Sequence, residues 1–573
     1  MRSVWRSVLI VGALLTGAPV IGVAEAGSPL QYVKIDQNLD QGTVNKFHYI
    51  YQGTQIAPAA WLAALEKADG SGKFMSSDNL RRLGFLVDNV VADKMNPYGW
   101  PIGLAVSDPK TTHGIAIAGL TCAVCHTSQF EYKGTAVRIE GGKAIFYSAA
   151  FFVEMSAAFT ATASDPSRRA RFFAEAIKGG YPANRMEGDF AAAVAGLAAA
   201  ADKNKMGLND GPGRTDALQV IANKIFAVAL MVPSNEREQN APSTFPYLWD
   251  VGRLSWIEYN GSVTRDSLSR TILQALGVGA VTHIVDPKTG ELNPEPRRWE
   301  TSIPLGNLLW VGKTLDRLRA PTWPAAVLGA IDQPKAQRGG QLFAANCAKC
   351  HGIKELPDGS WDVTMIPLKS IGTDPALTVN WATNIYDATK LGLSKEAHGV
   401  DSDVVVNAIR KNLYAANHTP ASEQEHDVKY EAPCGYRARP LIGVWATPPF
   451  LHNGSVRTVF DLLSDTRPAK FTVGSREYDP IHLGYTENKG PDSMLLDTSL
   501  PGNSNAGHWW TDEKSRPGRI GPKLADADKY ALIEYLKAAT YENYPSEKRA
   551  TMAVMPCQGD PNWARKTPTA AAK

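Results

Sequence analysis

Six cysteines stand in this 573-residue chain, and four of them fall into two copies of one pattern. Cys122-Ala-Val-Cys125-His126 and Cys347-Ala-Lys-Cys350-His351 both read Cys-x-x-Cys-His. That spacing is the covalent attachment signature of c-type haem. Two thiols add to the two vinyl groups of one porphyrin, and the next imidazole, His126 or His351, becomes the proximal iron ligand. A zinc half-site would need a second Cys or His pair at finger spacing, and a thioredoxin-like redox pair would need a βαβ context. Neither surrounds these motifs, so the expectation is two covalent haems c. A structural calcium ion is left open, because no residue pattern points to one.

The remaining cysteines, Cys434 and Cys557, form an even remainder. In an oxidising compartment that favours a disulfide, with two separate buried thiols as the alternative. For a sixth ligand on the second iron, the loop before the last helix offers His508, inside Gly502-Asn-Ser-Asn-Ala-Gly507-His508-Trp-Trp510. His508 is preferred over Met494, with His452 and His418 as further choices. A bis-His iron is saturated and suits electron transfer. No His or Met offers itself for the distal side of the first haem. His113 sits too close to its own motif and His283 is remote. An open position there makes the first haem the expected reactive centre.

The elements that must hold these groups can be read more coarsely. Gly339-Gly340-Gln-Leu-Phe343 enters the second motif on a short helix, and the chain closes on a helix over Ala525–Ala538 with Leu532, Tyr535 and Leu536 on one face. This pair resembles the first and last helices of a class I cytochrome c, with the glycine permitting their close crossing. After the first motif, Glu131–Gly142 alternates like a β-hairpin with glycine turns. Helices are expected over Ser148–Thr162, Ser167–Lys178, Asp189–Asp202 and from Ala217 to about Met231. Phe245–Gly261 carries Tyr247, Trp249, Trp256 and Tyr259, read as core packing or, between two redox centres, as an electron relay. The resulting expectation is a mainly α fold of two class I cytochrome c-like haem domains, with long irregular insertions and a few short β-hairpins. The N-terminal domain would cover 27–325 and the C-terminal domain with its tail 326–573.

Compartment and charge narrow the partners. Arg2 and Arg6, an apolar stretch over Val8–Val23 and Ala24-Glu25-Ala26 read as a cleaved signal peptide over 1–26, hence a periplasmic or secreted protein. The formal net charge of +3 gives no basic field for nucleic acid, and no later stretch is long enough to span a membrane. The 49 glycines and 37 prolines imply long, turn-rich connections.

One segment is more specific. Tyr436-Arg437-Ala-Arg439-Pro440, followed by Trp445 and Phe450-Leu-His452-Asn453-Gly454-Ser455, resembles the aromatic-x-His-Asp-Gly-Ser segment of bacterial dihaem cytochrome c peroxidases, with Asn453 in place of the aspartate. Together with Gly474-Ser475-Arg476 and the Trp256 block, it looks more like the branch that holds rubber oxygenase and the oleate 10S-dioxygenases. The peroxidases place a ligating methionine where this chain has neither Met nor His, around Thr466, which strengthens His508. The resemblance implies an O₂-dependent oxygenase acting at the first haem on a C=C bond of an unsaturated fatty acid or polyisoprene. Trp256, Ala275 and Leu276 would line an apolar pocket, although Ser255 stands where rubber oxygenase has an aromatic residue. A small periplasmic electron donor is a further expected partner. Arg437, Arg439, His452 and Arg476 are expected near haem propionates. The rival readings are an H₂O₂-reducing dihaem peroxidase, a lipid hydroperoxide isomerase (diol synthase) and a simple electron carrier.

Overall fold

Aspartate and proline set the starts of two of the longer helices. Asp332 accepts a hydrogen bond from Lys335 N and Pro334 occupies the first turn, which launches the helix Gln333–Asn346 toward the second motif. Asp165 does the same for Pro166–Lys178, accepting from Ser167 N and Arg168 N. The computed structural model describes residues 30–88, 90–201, 210–265, 267–487, 493–547, 554 and 557. The expected signal segment over 1–26 lies outside them.

The helix Gln333–Asn346 crosses the terminal helix Asp526–Ala538 at Gly339. A Cβ on Gly339 would sit 1.9 Å from the Ala531 carbonyl oxygen and 2.8 Å from the Tyr535 Cβ, so only glycine admits this crossing. Leu532, Tyr535 and Leu536 are buried on the inner face, and Phe343 packs its ring 5.0 Å from that of Tyr535.

The chain is mixed, about 39% helical and 16% strand, and not mainly α as its sequence suggests. The connections that read as irregular pair instead into small sheets, seven two-stranded and two three-stranded among the described residues. Most of these strands are two to four residues long, and some find their partners far away in sequence. Thr364–Pro367 pairs antiparallel with Gly435–Ala438, for example. Such short strands carry no alternation long enough to recognise. The hairpin after the first motif is the exception: Thr127–Tyr132 and Thr135–Glu140 pair antiparallel, and Gln31–Lys34 adds a parallel third strand.

Three helices, Ser148–Ser164, Pro166–Lys178 and Ala183–Ala201, gather around Trp61 in a satellite aromatic cluster with Phe159, Phe172, Tyr181 and Phe190. The helix expected up to Met231 is regular over Ala217–Ala222 and then widens into a π-helical stretch over Asn223–Ala229. The larger core draws on both sides of residue 325, combining Phe130, Trp249 and Leu315 with Trp445, Tyr478 and Leu536. Phe130 meets Trp445 edge-on at 5.7 Å, and Tyr541 of the C-terminal segment donates its hydroxyl to Asp250 at 2.9 Å and accepts from Ala320 N at 2.8 Å. Among the described residues, no helix is long and apolar enough to cross a membrane.

Candidate haem sites

The second motif forms one helical turn, Ala348–His351, directly after the crossing helix. Its imidazole is oriented by the backbone: His351 Nδ1–H donates to the Arg439 carbonyl at 2.9 Å. That leaves Nε2 free for a metal, the usual arrangement for a ligating histidine. Across from it stands His508, with the two ring centroids 6.4 Å apart. An iron between two imidazoles, each about 2 Å from its nitrogen, sets their centroids roughly 6 Å apart, so the spacing fits one iron. Withdrawal from solvent pushes His508 down to about 3, and the neighbouring His351 adds to this; a neutral imidazole is what an iron requires.

His508 is carried by a loop pinned at several points. Its backbone is left-handed at φ +52°, after Gly507 at +79°. Its N–H donates to the Ile371 carbonyl at 3.0 Å. Arg467 reaches the same loop, donating to the carbonyls of Gly507 and His508 at 3.0 Å each and to Leu462 at 3.1 Å. The guanidinium groups of Arg467 and Arg516 both lie over the Trp509 ring, at 3.9 and 3.7 Å. The other ligand choices lie elsewhere. Met494 turns its sulfur toward the Tyr147 hydroxyl, 3.9 Å away. His452 stacks on Tyr436 at 4.1 Å, and His418 is exposed.

The first motif folds as Cys122–His126, with Thr121 accepting from Ala123 N as its cap. His126 is buried and meets a phenylalanine, Phe245, edge-on at 6.2 Å, where His351 meets a second imidazole. Burial pushes His126 down to about 4. A buried hydrogen-bonded pair flanks the motif: His48 Nε2 stands 2.9 Å from Glu140 Oε2, and Thr127 Oγ1 donates to the same oxygen at 3.1 Å. Burial alone would raise the Glu140 carboxyl, but His48 and Thr127 outweigh it and hold it below its ordinary value. The disulfide between Cys434 and Cys557 leaves the four motif cysteines outside any pairing with one another.

Between the motifs lie buried cations. Burial, with Arg439 adding, pushes Lys143 down to about 7 and Arg437 to about 10. Lys143 Nζ donates to the Pro449 carbonyl at 3.0 Å. Arg439 holds the carbonyls of Tyr247 and Trp249 at 3.0 and 2.7 Å, and Arg437 holds that of Glu258. One guanidinium nitrogen on each arginine, Arg439 Nε and Arg437 Nη1, is buried without a hydrogen-bond partner. The facing carboxyls, Asp250 and Glu258, are themselves raised by burial. Buried cations with spare donors suit an anionic group, and haem propionates are of that kind. His452 is close enough to Lys143 and Arg214 for both to add to the effect of burial, which pushes it to about 3. Arg476 sits apart, donating to the carbonyls of Gly84 and Phe85 at 3.0 Å beside Glu131.

Trp256 is half-buried on a short strand with Ile257, while Ala275 and Leu276 are buried on the helix Ser267–Gly277. Cys434 and Cys557 are joined in a disulfide. Among the described residues, no group of three or more His, Cys, Asp or Glu could hold a metal ion. Sequence reading passed over Arg467, Lys143 and the His48–Glu140 pair. Lys143 alone carried a local signal, directly after Gly141-Gly142 at the end of the hairpin.

A family model described as RoxA-like, cytochrome c-like matches residues 435–472. It is a single cytochrome-like match, where two cytochrome c-like domains were expected. The matched stretch begins at the strand carrying Arg437 and runs through Arg439, His452 and Arg467. The uncharacterized protein y4iJ of Sinorhizobium fredii (strain NBRC 101917 / NGR234) is 33% identical over 564 residues, spanning 88% of this chain and 92% of that protein. The uncharacterized protein y4iM of the same organism is 31% identical over 321 residues, 51% of this chain and 63% of that one.

Proposed function

We propose that this chain, which belongs to one family with the y4iJ protein and carries a RoxA-like, cytochrome c-like segment over residues 435–472, is an exported dihaem oxygenase. The RoxA-like, cytochrome c-like segment supports haem c and oxidoreductase character. The finer reading is that O₂ is used at the haem on His126 to oxidise a C=C bond of an unsaturated fatty acid or a polyisoprene. The observation that carries it is an asymmetry: His351 faces the imidazole of His508, whereas His126 faces the ring of Phe245. Among the described residues, two imidazoles meet at the second site, whereas at the first a phenylalanine meets the single imidazole.

When bound, haem c supplies the redox-active iron at each site. The chain's own residues then have distinct tasks. Cys122, Cys125, Cys347 and Cys350 anchor the two porphyrins covalently. His351 keeps its proton at Nδ1, held by the Arg439 carbonyl, and presents Nε2 to the metal. Arg467 fixes the loop that brings His508 to the opposite side. Lys143, Arg437 and Arg439 bind propionates. Trp256, Ala275 and Leu276 form apolar walls that exclude water and receive the hydrocarbon.

The test is oxygen consumption by the dihaem protein with oleate or polyisoprene and no added reductant. Uptake with appearance of oxidised lipid supports the oxygenase. Turnover only with H₂O₂ and a reduced small cytochrome would replace it with a peroxidase, and turnover only of a lipid hydroperoxide with an isomerase.

A further inference from the structure

The two motif histidines are 225 residues apart in sequence, yet a short hydrogen-bonded path joins them. Residues 245–249 form a strap that carries Phe245 against His126. Residues 439–442 form a second strap, and its Arg439 carbonyl orients His351. Four hydrogen bonds stitch the straps together. Arg439 donates to Tyr247 O at 3.0 Å and to Trp249 O at 2.7 Å. Tyr247 Oη donates to Pro440 O at 3.1 Å, and Trp249 Nε1 donates to Ile442 O at 3.0 Å. The Arg439 guanidinium also lies 3.7 Å over the Tyr247 ring. Trp249 is fully buried and Tyr247 nearly so, which leaves the straps no room to slide independently.

We propose that Arg439 is a positioning residue that couples the two haem sites. Its backbone fixes His351 and its side chain fixes the strap that sets Phe245 against His126, so a change at either imidazole is felt at the other. This rests on the dihaem reading above. A planar fork gripping two adjacent carbonyls while stacking on a ring is a task that lysine cannot perform, although it keeps the charge. Neutralising a propionate, by contrast, asks only for charge.

The experiment follows from that difference. Arg439→Lys and Arg439→Gln are compared with the unsubstituted protein, each carrying its haems, by electron paramagnetic resonance of the oxidised protein and by CO affinity of the reduced protein. Haem count is first established by pyridine haemochrome; a single haem would remove the dihaem reading itself. With two haems present, Arg439→Lys is expected to shift the signal of the haem on His126 and to change its CO affinity by about tenfold, the scale of lost outer-shell support. Arg439→Gln, which loses the fork and the charge together, should shift it at least as much. Tyr247→Phe removes one stitch alone and should give a smaller shift of the same signal, which keeps the test alive if Arg439 variants fold poorly. A normal His126 haem in Arg439→Lys, with an altered one only in Arg439→Gln, would reduce Arg439 to a propionate counter-ion and overturn the coupling.

Discussion

Replacing His508 with glycine probes the ligand assignment with little disturbance of the fold. Residue 508 has a left-handed backbone at φ +52°, a conformation glycine adopts without penalty. Arg467 grips the loop through the carbonyls of residues 507 and 508, so its bonds survive loss of the side chain. What disappears is the imidazole whose centroid lies 6.4 Å from that of His351. If those two rings share one iron while the His126 iron keeps an open position, the reduced protein binds about one CO per chain. His508→Gly then opens the second iron and doubles the stoichiometry to about two. The assay is titration of the reduced protein with CO, followed by difference spectra and normalised to haem content. Added imidazole should fill the vacated position and compete with the extra CO. Unchanged CO stoichiometry in His508→Gly, with both haems attached, would refute the assignment of His508 and the reasoning from ring spacing.

Three further outcomes are expected. Gly339→Ala drives a Cβ to within 1.9 Å of a backbone carbonyl and should destabilise by about 1–3 kcal/mol, whereas Gly340→Ala meets only the edge of the Tyr535 ring at 3.3 Å and should be nearly neutral; denaturation midpoints of the two variants measure the difference. Glu140→Gln weakens the buried hydrogen bond with His48 and should cost about 1–3 kcal/mol at neutral pH. The native Glu140 carboxyl is held low, so its stabilisation is complete above the unfolded value of about 4.3 and is lost as pH falls through the native value. The gap between wild type and Glu140→Gln in denaturation experiments should therefore close in acid. Replacing both Cys122 and Cys125 by alanine should leave one covalent haem per chain, read by intact mass; two remaining would refute attachment at the first motif.

What could be read in the sequence was what local chemistry dictates. Cys-x-x-Cys-His is complete within five residues, so both motifs were visible. The meeting of His508 with His351 was legible because of what the loop before a final helix does in the fold it resembles, and Gly339 because a crossing needs a residue without a side chain. The hairpin Thr127–Glu140 announced itself by alternation and by its turn, where Lys133 and Gly134 both take positive φ. The small sheets did not, because strands such as Thr364–Pro367 exist only through a partner, Gly435–Ala438, brought in by tertiary structure. Arg467 was hidden for a related reason: its contacts lie about forty residues downstream, at Asn505, Gly507 and His508. The His48–Glu140 pair spans 92 residues, and neither residue type says by itself that it will be buried.

The core that spans residue 325 has a consequence for how this chain can change over time. Two segments, each with one Cys-x-x-Cys-His motif, that pack Phe130 on Trp445 and share Tyr541 with Asp250 behave like an obligate heterodimer whose subunits happen to be fused. The peptide link sets their effective concentration far above anything two separate chains could reach. Neither half can then be lost, exchanged or silenced without exposing the apolar face of the other. The one-to-one ratio of the two attachment motifs is thus enforced by packing as well as by the gene.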